Sequence, residues 1–132
     1  MRSVLDTSVL LGPPPRPIDG DLAISAASLA ELHYGVLVAG SDAIRAERLR
    51  RLGVIERTFA ALPIDDLVAR HYGRLASATA ATGRQPRAGV MDLLIAATAA
   101  AHGARLCTRN PGDLAGLGHL IEIIALAGAD GV

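Results

Sequence analysis

The sequence predicts an α/β fold, in which a parallel sheet of four to five strands is covered by helices on both faces. Short apolar runs alternate with longer segments of helical spacing along the chain, an order typical of parallel sheets. A length of 132 residues fits one domain spanning 1–132 with its own core. Hydrophobic residues make up 51% of the chain and aromatic residues 2%, so Ala, Leu, Val and Ile build that core.

The first predicted strand contains Val4 and Leu5 and stops at Asp6. An apolar run of this kind is typical of a strand buried on both faces. Ligands of open α/β sheets bind beyond the carboxyl ends of the strands, so Asp6 is predicted to face the functional edge. Asp is also a favoured N-cap, and Asp6 taken alone is equally well explained as the cap of a following helical turn.

The next part of the chain predicts a connector, a strand and a helix. The proline-rich segment 12–17 cannot continue a helix and is predicted to be an extended surface loop. A second buried strand follows over 22–25. Ser25 or Ser28 then caps a helix whose apolar residues have helical spacing up to Ala39.

A second helix is predicted over about 41–61, and one of its faces is densely charged. Its arginines are Arg45, Arg48, Arg50, Arg51 and Arg57. Such a face is usually only solvated, and the alternative is an edge that contacts phosphates. The apolar link 62–64 contains a proline, which suits an edge strand. Asp65 and Asp66 then open a helix to about Thr82.

The last third of the chain is predicted to alternate in the same way. Its elements are a loop over 83–89, an Ala-rich helix over 90–102, a strand over 105–108, a turn over 110–113, and a strand over 121–124 with a frayed tail. Gly103 is the predicted C-cap of the helix. Cys107 is the only cysteine, which excludes an internal disulfide, and a buried, inert thiol is expected.

Composition excludes several classes of function. All 13 basic residues are Arg, so the chain lacks the Lys of a phosphate-binding P-loop, and an aspartyl-phosphate receiver or phosphatase is disfavoured for the same reason. A mean hydropathy of +0.37 indicates that some apolar surface meets a partner. No apolar run approaches the length of a membrane span, and we expect a cytoplasmic protein.

Four acids fall just after predicted strands or early in the next helix, where they could converge. They are Asp6, Glu31, Asp92 and Asp113. Each has an ordinary explanation alone, as a solvent-facing helix residue, a helix-dipole acid or a turn residue. Clustered carboxylates repel one another, however, and a protein that gathers them needs a cation between them. Oxygen ligands favour Mg²⁺ or Mn²⁺ over zinc.

These acids lie in four motifs that resemble those of PIN-domain ribonucleases, most closely the VapC toxins. The motifs are Val4-Leu5-Asp6-Thr7-Ser8, Ser25-x-x-Ser28-x-x-Glu31-Leu32, the run from Asp92 to Ala99, and Thr108-Arg109-Asn110-Pro111-Gly112-Asp113-Leu114. The resemblance implies a PIN-like three-layer α/β/α sandwich. It further implies Mg-dependent cleavage of RNA, with Mn as an alternative ion.

The resemblance also implies roles for the acids. Asp6, Glu31 and Asp92 match the core metal ligands of the family, and we assign the ion to Asp6 and Asp92. Glu31 and Asp113 would complete the catalytic set, although Asn110 also stands where many relatives carry an acid. The segment between Asp6 and Glu31 is short, with the proline loop where relatives commonly carry a helix.

Partners follow from the same resemblance. It implies a homodimer and a cognate VapB antitoxin that occupies the site, with DNA contacted only through the antitoxin. Arg84, Arg87 and Arg109 are predicted to make peripheral phosphate contacts. The alternative function is a PIN-like module that binds RNA or protein with little or no nuclease activity.

Overall fold

The computed structural model describes residues 1–13 and 15–127, and its centre is a parallel sheet. The five strands are β1 (Arg2–Leu5), β2 (Asp21–Ser25), β3 (Ala60–Leu62), β4 (Arg105–Thr108) and β5 (Ile123–Ala125). They lie in the order β3-β2-β1-β4-β5, and every neighbouring pair is parallel. The parallel sheet predicted from the alternating sequence pattern is therefore confirmed.

Five α-helices connect the strands. They are α1 (Thr7–Leu11), α2 (Ala26–Leu37), α3 (Asp42–Thr58), α4 (Asp66–Ala81) and α5 (Val90–Ala101), and short 3₁₀ turns cover Pro86–Gly89 and Pro111–Leu114. The first four helices begin at side chains that accept a hydrogen bond from the first turn: Asp6, Ser25, Ser41 and Asp65. Ser25 rather than Ser28 is thus the cap of α2. None of these helices is long and apolar enough to span a lipid bilayer.

Side chains of each inner strand alternate between two cores. Val4 and its registered partner Leu106 lie in a core with apolar side chains of α4 and α5. Leu5 and its registered partner Cys107 lie in the opposite core, with side chains of α1, α2 and α3. This alternation confirms the three-layer sandwich. Cys107 is fully buried, and burial raises the pKa of its thiol, as expected for an inert cysteine.

Two predicted strands are displaced in the structure. The helix predicted to reach 61 ends at Thr58, and the edge strand covers Ala60–Leu62 rather than 62–64. Leu62 pairs with Ser25 and fills the core, so Pro63 falls outside the hydrogen-bonded pairs. The last strand starts at Ile123 rather than at 121, because its pairing with β4 begins with the pair Ile123 and Leu106.

The two connections predicted as irregular have no α-helix or strand at their described residues. In the proline-rich segment this covers 12, 13 and 15–17, and over 83–89 the chain forms only the 3₁₀ turn. Gly103 follows α5 with φ +60, the left-handed conformation of a residue just past a helix end. The predicted frayed tail lies outside the described residues from 128 onward.

Candidate active site

The four acids predicted from the sequence line a single cavity of about 170 Å³ at the carboxyl ends of the strands. Sheet order explains why they meet. The chain leaves β1 toward β2 and β3 on one side and later returns to place β4 and β5 on the other. The crevice beyond β1 is therefore the switch point at which open α/β sheets bind their ligands.

Asp6 is held at the end of β1 by contacts on both sides. Its backbone amide donates to the Cys107 carbonyl over 3.0 Å. Its Oδ1 accepts hydrogen bonds from the Ser8 hydroxyl at 2.5 Å and from the Val9 amide at 3.2 Å. Ser8 Oγ in turn accepts from the Arg109 amide at 3.0 Å. Asp6 is therefore both a helix cap and a cavity acid, and the two interpretations of this residue are compatible.

Glu31 reaches the cavity from α2 and is fixed by a hydroxyl of α1. The Thr7 hydroxyl lies 2.7 Å from Glu31 Oε1 and 3.1 Å from Ser28 Oγ. A hydroxyl has one proton and an ionised carboxylate can only accept it, so Thr7 donates to Glu31. Ser28 is fully buried at this point. Glu31 is thus oriented by a partner 24 residues away in the chain.

Asp92 lies in the first turn of α5, and it faces the other acids of the cavity. Desolvation is the main cause that raises the pKa of Asp92, and the charges of Asp113, Glu31 and Asp6 raise it further. The three other acids act on Asp92 at once, so their fields overlap in this cavity. A cation placed among them would relieve that repulsion.

A buried hydroxyl pair links the helices that carry Glu31 and Asp92. Ser25 Oγ and Thr98 Oγ1 are 2.8 Å apart, and both residues are fully buried. Thr98 donates its proton to the Leu94 carbonyl at 2.8 Å, so Ser25 is the donor within the pair. The pair joins the start of α2 to α5 across the sheet.

Asp113 and Asn110 both line the cavity, from the 3₁₀ turn after β4. The Asp113 amide donates to the Asn110 carbonyl at 3.1 Å, and buried Leu114 anchors the turn. Of the two side chains, only Asp113 adds a negative charge that acts on Asp92. Both side chains line the cavity, and Asp113 is the one of the two that carries a charge.

The donor set fits a hard divalent cation. The cavity offers carboxylate, hydroxyl and amide oxygens, the ligands that Mg²⁺ and Mn²⁺ prefer. In the described part of the chain, no three His, Cys, Asp or Glu side chains already close around one ion-sized point. The four acids line the same cavity without forming such a group.

The structure gives the three predicted phosphate contacts different environments. The Arg109 guanidinium donates to the backbone carbonyls of Pro13 and Ala127, so it ties the proline loop to the end of the sheet. The phosphate contact expected of Arg109 stays a prediction, since these two carbonyls take only part of its five N–H donors. Arg84 lines a cavity that shares Asp92 and Asp113 with the acidic one. Arg87 is exposed.

Sequence reasoning missed the residues that position the acids. Thr7 and Ser8 stand in the first motif, yet only the fold brings them to Glu31 and to β4. The Ser25–Thr98 pair joins positions 73 residues apart. The one available signal was the presence of small hydroxyl residues inside otherwise apolar motifs.

Comparisons with known proteins agree with this site. The family model described as PIN domain matches residues 3–115, a range that includes all four acids. Ribonuclease VapC5 of Mycobacterium tuberculosis is 39% identical over 113 residues, which cover 81% of this chain and 82% of that protein. Asp6, Glu31, Asp92 and Asp113 thus lie in the part of the chain that the family model covers.

Solved structures share the architecture. The crystal structure of VapBC-5, a member of the VapBC family of toxin–antitoxin systems from Mycobacterium tuberculosis, superposes with a TM-score of 0.80 at 37% identity, over 94% of this chain and 98% of that one. The structure of FitAB bound to an IR36 DNA fragment gives a TM-score of 0.74 at 26% identity, over 93% and 94%. The chain therefore belongs to the PIN-domain family and, within it, to the VapC ribonucleases.

Proposed function

We propose that this chain is the toxin of a VapBC toxin–antitoxin pair, an Mg-dependent endoribonuclease that hydrolyses phosphodiester bonds of RNA and is neutralised by a cognate VapB antitoxin. The observation that carries the proposal is the cavity lined by Asp6, Glu31, Asp92 and Asp113 in a chain of the VapC family. Similar solved structures come from toxin–antitoxin systems, which supports the antitoxin as partner.

Asp6 and Asp92 would hold the ion. When bound, Mg²⁺ would lower the pKa of a water molecule at the site, and its positive charge would neutralise the phosphate. The Ser8 hydroxyl and the Val9 amide hold Asp6 Oδ1 in place. Burial is the main cause that raises the pKa of Asp92, and the charges of Asp113, Glu31 and Asp6 raise it further. The negative charge of these acids makes a cation favourable there.

Glu31 would act as the base, with Asp113 completing the acidic set. Thr7 occupies Glu31 Oε1, and this contact keeps the carboxylate at the wall of the cavity. Oε2 makes no hydrogen bond within the described residues, which leaves it as the oxygen that accepts a proton from the attacking water. Asp113 adds a further negative charge beside Asp92.

Exposed apolar side chains on α1 and α2 support a protein partner. Leu11, Tyr34 and Leu37 are 55%, 67% and 76% exposed, and open apolar surface of this kind is typical of protein contacts. We propose that the antitoxin or a second copy of the chain in a homodimer covers part of it. DNA would be reached only through the antitoxin, and the similar FitAB structure is bound to a DNA fragment.

The experiment is incubation of the purified chain with total RNA and Mg²⁺, with and without a chelator. Cleavage that the chelator stops, and that Asp6→Asn abolishes, is the expected result. Asp21→Asn is the matched control, because Asp21 is an exposed acid at the opposite end of a neighbouring strand. If the protein binds RNA without cutting it under any of these conditions, the chain is a binding module and the proposal fails.

A further inference from the structure

Two more cavities adjoin the acidic one, each at a different pair of its wall residues. One has a volume of about 310 Å³, lies between α1, α2 and α3, and shares Thr7 and Glu31 with the acidic cavity. The other has a volume of about 250 Å³, lies between the end of α4 and the start of α5, and shares Asp92 and Asp113. Each shares two wall residues with the acidic cavity, and we call these three adjoining cavities together the acid-centred groove.

Arginines enter this groove at both ends. On α3, Arg45 pairs with Asp42 at 3.1 Å and Arg50 with Glu47 at 2.6 Å, so both are engaged on the outer surface. Arg48 and Arg51 instead line the cavity beside Glu31. Arg84 lines the cavity beside Asp92. The acids therefore lie between two basic ends.

Arg51 has a structural task at its end of the groove. Its Nη1 donates to the carbonyls of Leu10 and Leu11, at 3.3 and 2.5 Å. These carbonyls end α1, and a helix leaves its last carbonyls without an intrahelical partner. Arg51 therefore fixes the helix that carries Thr7, and Arg48 is the arginine of this cavity with fewer backbone contacts.

Arg48 and Arg84 share one arrangement. Each donates through Nη1 to a single backbone carbonyl, Arg48 to Gly35 at 2.6 Å and Arg84 to Gly112 at 3.1 Å. A guanidinium has five N–H donors, so most of each fork is left for a ligand. A tether at one nitrogen also lowers the entropy that each side chain loses when it binds.

We propose that a single-stranded RNA crosses the acid-centred groove, with Arg48 contacting a phosphate on one side of the cleaved bond and Arg84 contacting a phosphate on the other. This inference rests on the proposed function. The acidic cavity repels a polyanion, and cationic contacts at both ends offset that repulsion. A single strand can splay its bases along such a groove, whereas a duplex holds them stacked, so the proposed ligand is a single strand.

The test measures binding of a labelled single-stranded RNA of mixed sequence by fluorescence anisotropy at several salt concentrations. All variants are made in the Asp6→Asn protein, so that the RNA stays intact. Arg48→Gln and Arg84→Gln are each expected to weaken binding about fivefold and to reduce the slope of log affinity against log salt by about 0.7, the value for one contact to a single strand. Arg57→Gln is the control, since Arg57 is exposed on α3 and lines neither cavity.

Charge-preserving variants separate a phosphate contact from a change of shape. Arg48→Lys and Arg84→Lys are expected to restore the salt slope, because Lys keeps the charge but not the fork. Thermal unfolding of each variant checks that the fold is retained. A salt slope that Lys does not restore would mean that the arginine acts only through its backbone contact, which overturns the proposal for that end.

Three further results would overturn the inference. The first is an unchanged affinity and slope in both Gln variants. The second is a change of affinity and salt slope in only one of the two Gln variants, because the RNA is then not bound at both ends of the groove. The third is an Arg48→Gln protein that binds RNA normally but binds its antitoxin weakly, which would make this cavity a protein surface. In each case the unsubstituted chain would still cleave RNA, whereas absence of any cleavage or binding would contradict the proposed function itself.

Discussion

The Thr7 hydroxyl donates a hydrogen bond of 2.7 Å to Glu31 Oε1 and so joins the first turn of α1 to α2. Thr7 follows Asp6 directly in the sequence. The Asp6 amide donates a hydrogen bond to the Cys107 carbonyl, which anchors Asp6 to β4. One short segment therefore sets the position of two acids. The separation between Asp6 and Glu31 depends on α1 being docked correctly.

The first prediction concerns this contact. Thr7→Val keeps the shape of the side chain and removes the donor, so Glu31 loses its orienting partner. We expect the single-turnover cleavage rate to fall about tenfold. This is the usual size of the loss when a residue that orients a site side chain by a hydrogen bond is removed. Thr7→Ser keeps the hydroxyl and is expected to cleave at nearly the normal rate. If Thr7→Val cleaves as fast as the unsubstituted chain, Glu31 needs no such orientation.

The second prediction concerns the stability cost of Asp92. Its pKa is raised in the folded chain, so the folded state binds the proton more tightly than the unfolded state, and ionisation lowers the free energy of unfolding as pH rises. Asp92→Asn is therefore expected to be more stable than the unsubstituted chain at pH 7 without divalent ions. The gain should stay below about 1 kcal/mol, because Asp92 is exposed and solvent screens its charge.

Urea unfolding with a chelator, repeated over a range of pH, measures this difference. It should shrink as pH falls through the raised pKa and vanish below the ordinary value of 3.8, where Asp92 is protonated in both states. With Mg²⁺ at about 100 times its Kd, the unsubstituted chain should gain about 2.7 kcal/mol and the variant much less. A variant that is less stable than the unsubstituted chain at pH 7 in chelator would refute the repulsion argument.

The third prediction concerns Arg109. Its guanidinium donates to the carbonyls of Pro13 and Ala127, and a Cβ on Gly12 would lie only 2.8 Å from its Nε. Arg109→Ala is therefore expected to lower the free energy of unfolding by about 1–3 kcal/mol. Arg87→Ala changes an exposed arginine and should stay within about 0.5 kcal/mol. Chemical denaturation measures both. Unchanged stability with a reduced salt slope of RNA binding would show instead that Arg109 contacts phosphate.

The fourth prediction concerns the buried pair of Ser25 and Thr98. Thr98→Val removes the acceptor of the Ser25 proton and leaves that O–H donor buried without an acceptor, while Ser25 Oγ still accepts from the Ala27 amide. We expect a loss of about 1–3 kcal/mol in the free energy of unfolding. Thr98→Ser is the conservative control and should lose less. Since the pair joins α2 to α5, a Thr98→Val protein of normal stability would mean that the two helices are held by apolar packing alone.

The fold was predictable because the strands are short and apolar and the helices begin with capping side chains. Asp6, Ser25 and Asp65 mark three helix starts that the structure confirms. The ends of elements were less predictable, because tertiary pairing decides them. Leu62 is in the edge strand because it pairs with Ser25, and nothing local to Leu62 indicates that.

The candidate site was predictable to the level of its acids. Asp6, Glu31, Asp92 and Asp113 could be chosen because parallel strands bring their carboxyl ends to one edge, and they do line one cavity. The sequence could not predict which arginines face the cavities. The orientation of α3 decides this for its arginines, and hydrogen bonds to backbone carbonyls distant in the chain decide where each guanidinium lies. Arg109 shows this most clearly, since its partners lie 96 and 18 residues away.

The most direct test of the proposed metal centre is anomalous X-ray scattering from crystals of the chain soaked in Mn²⁺. The account predicts a peak inside the acidic cavity, within direct coordination distance of the Asp6 and Asp92 carboxylates, and its loss in crystals of Asp92→Asn. A cavity without a peak in the unsubstituted chain, or a peak bound only by acids elsewhere on the surface, would contradict the account.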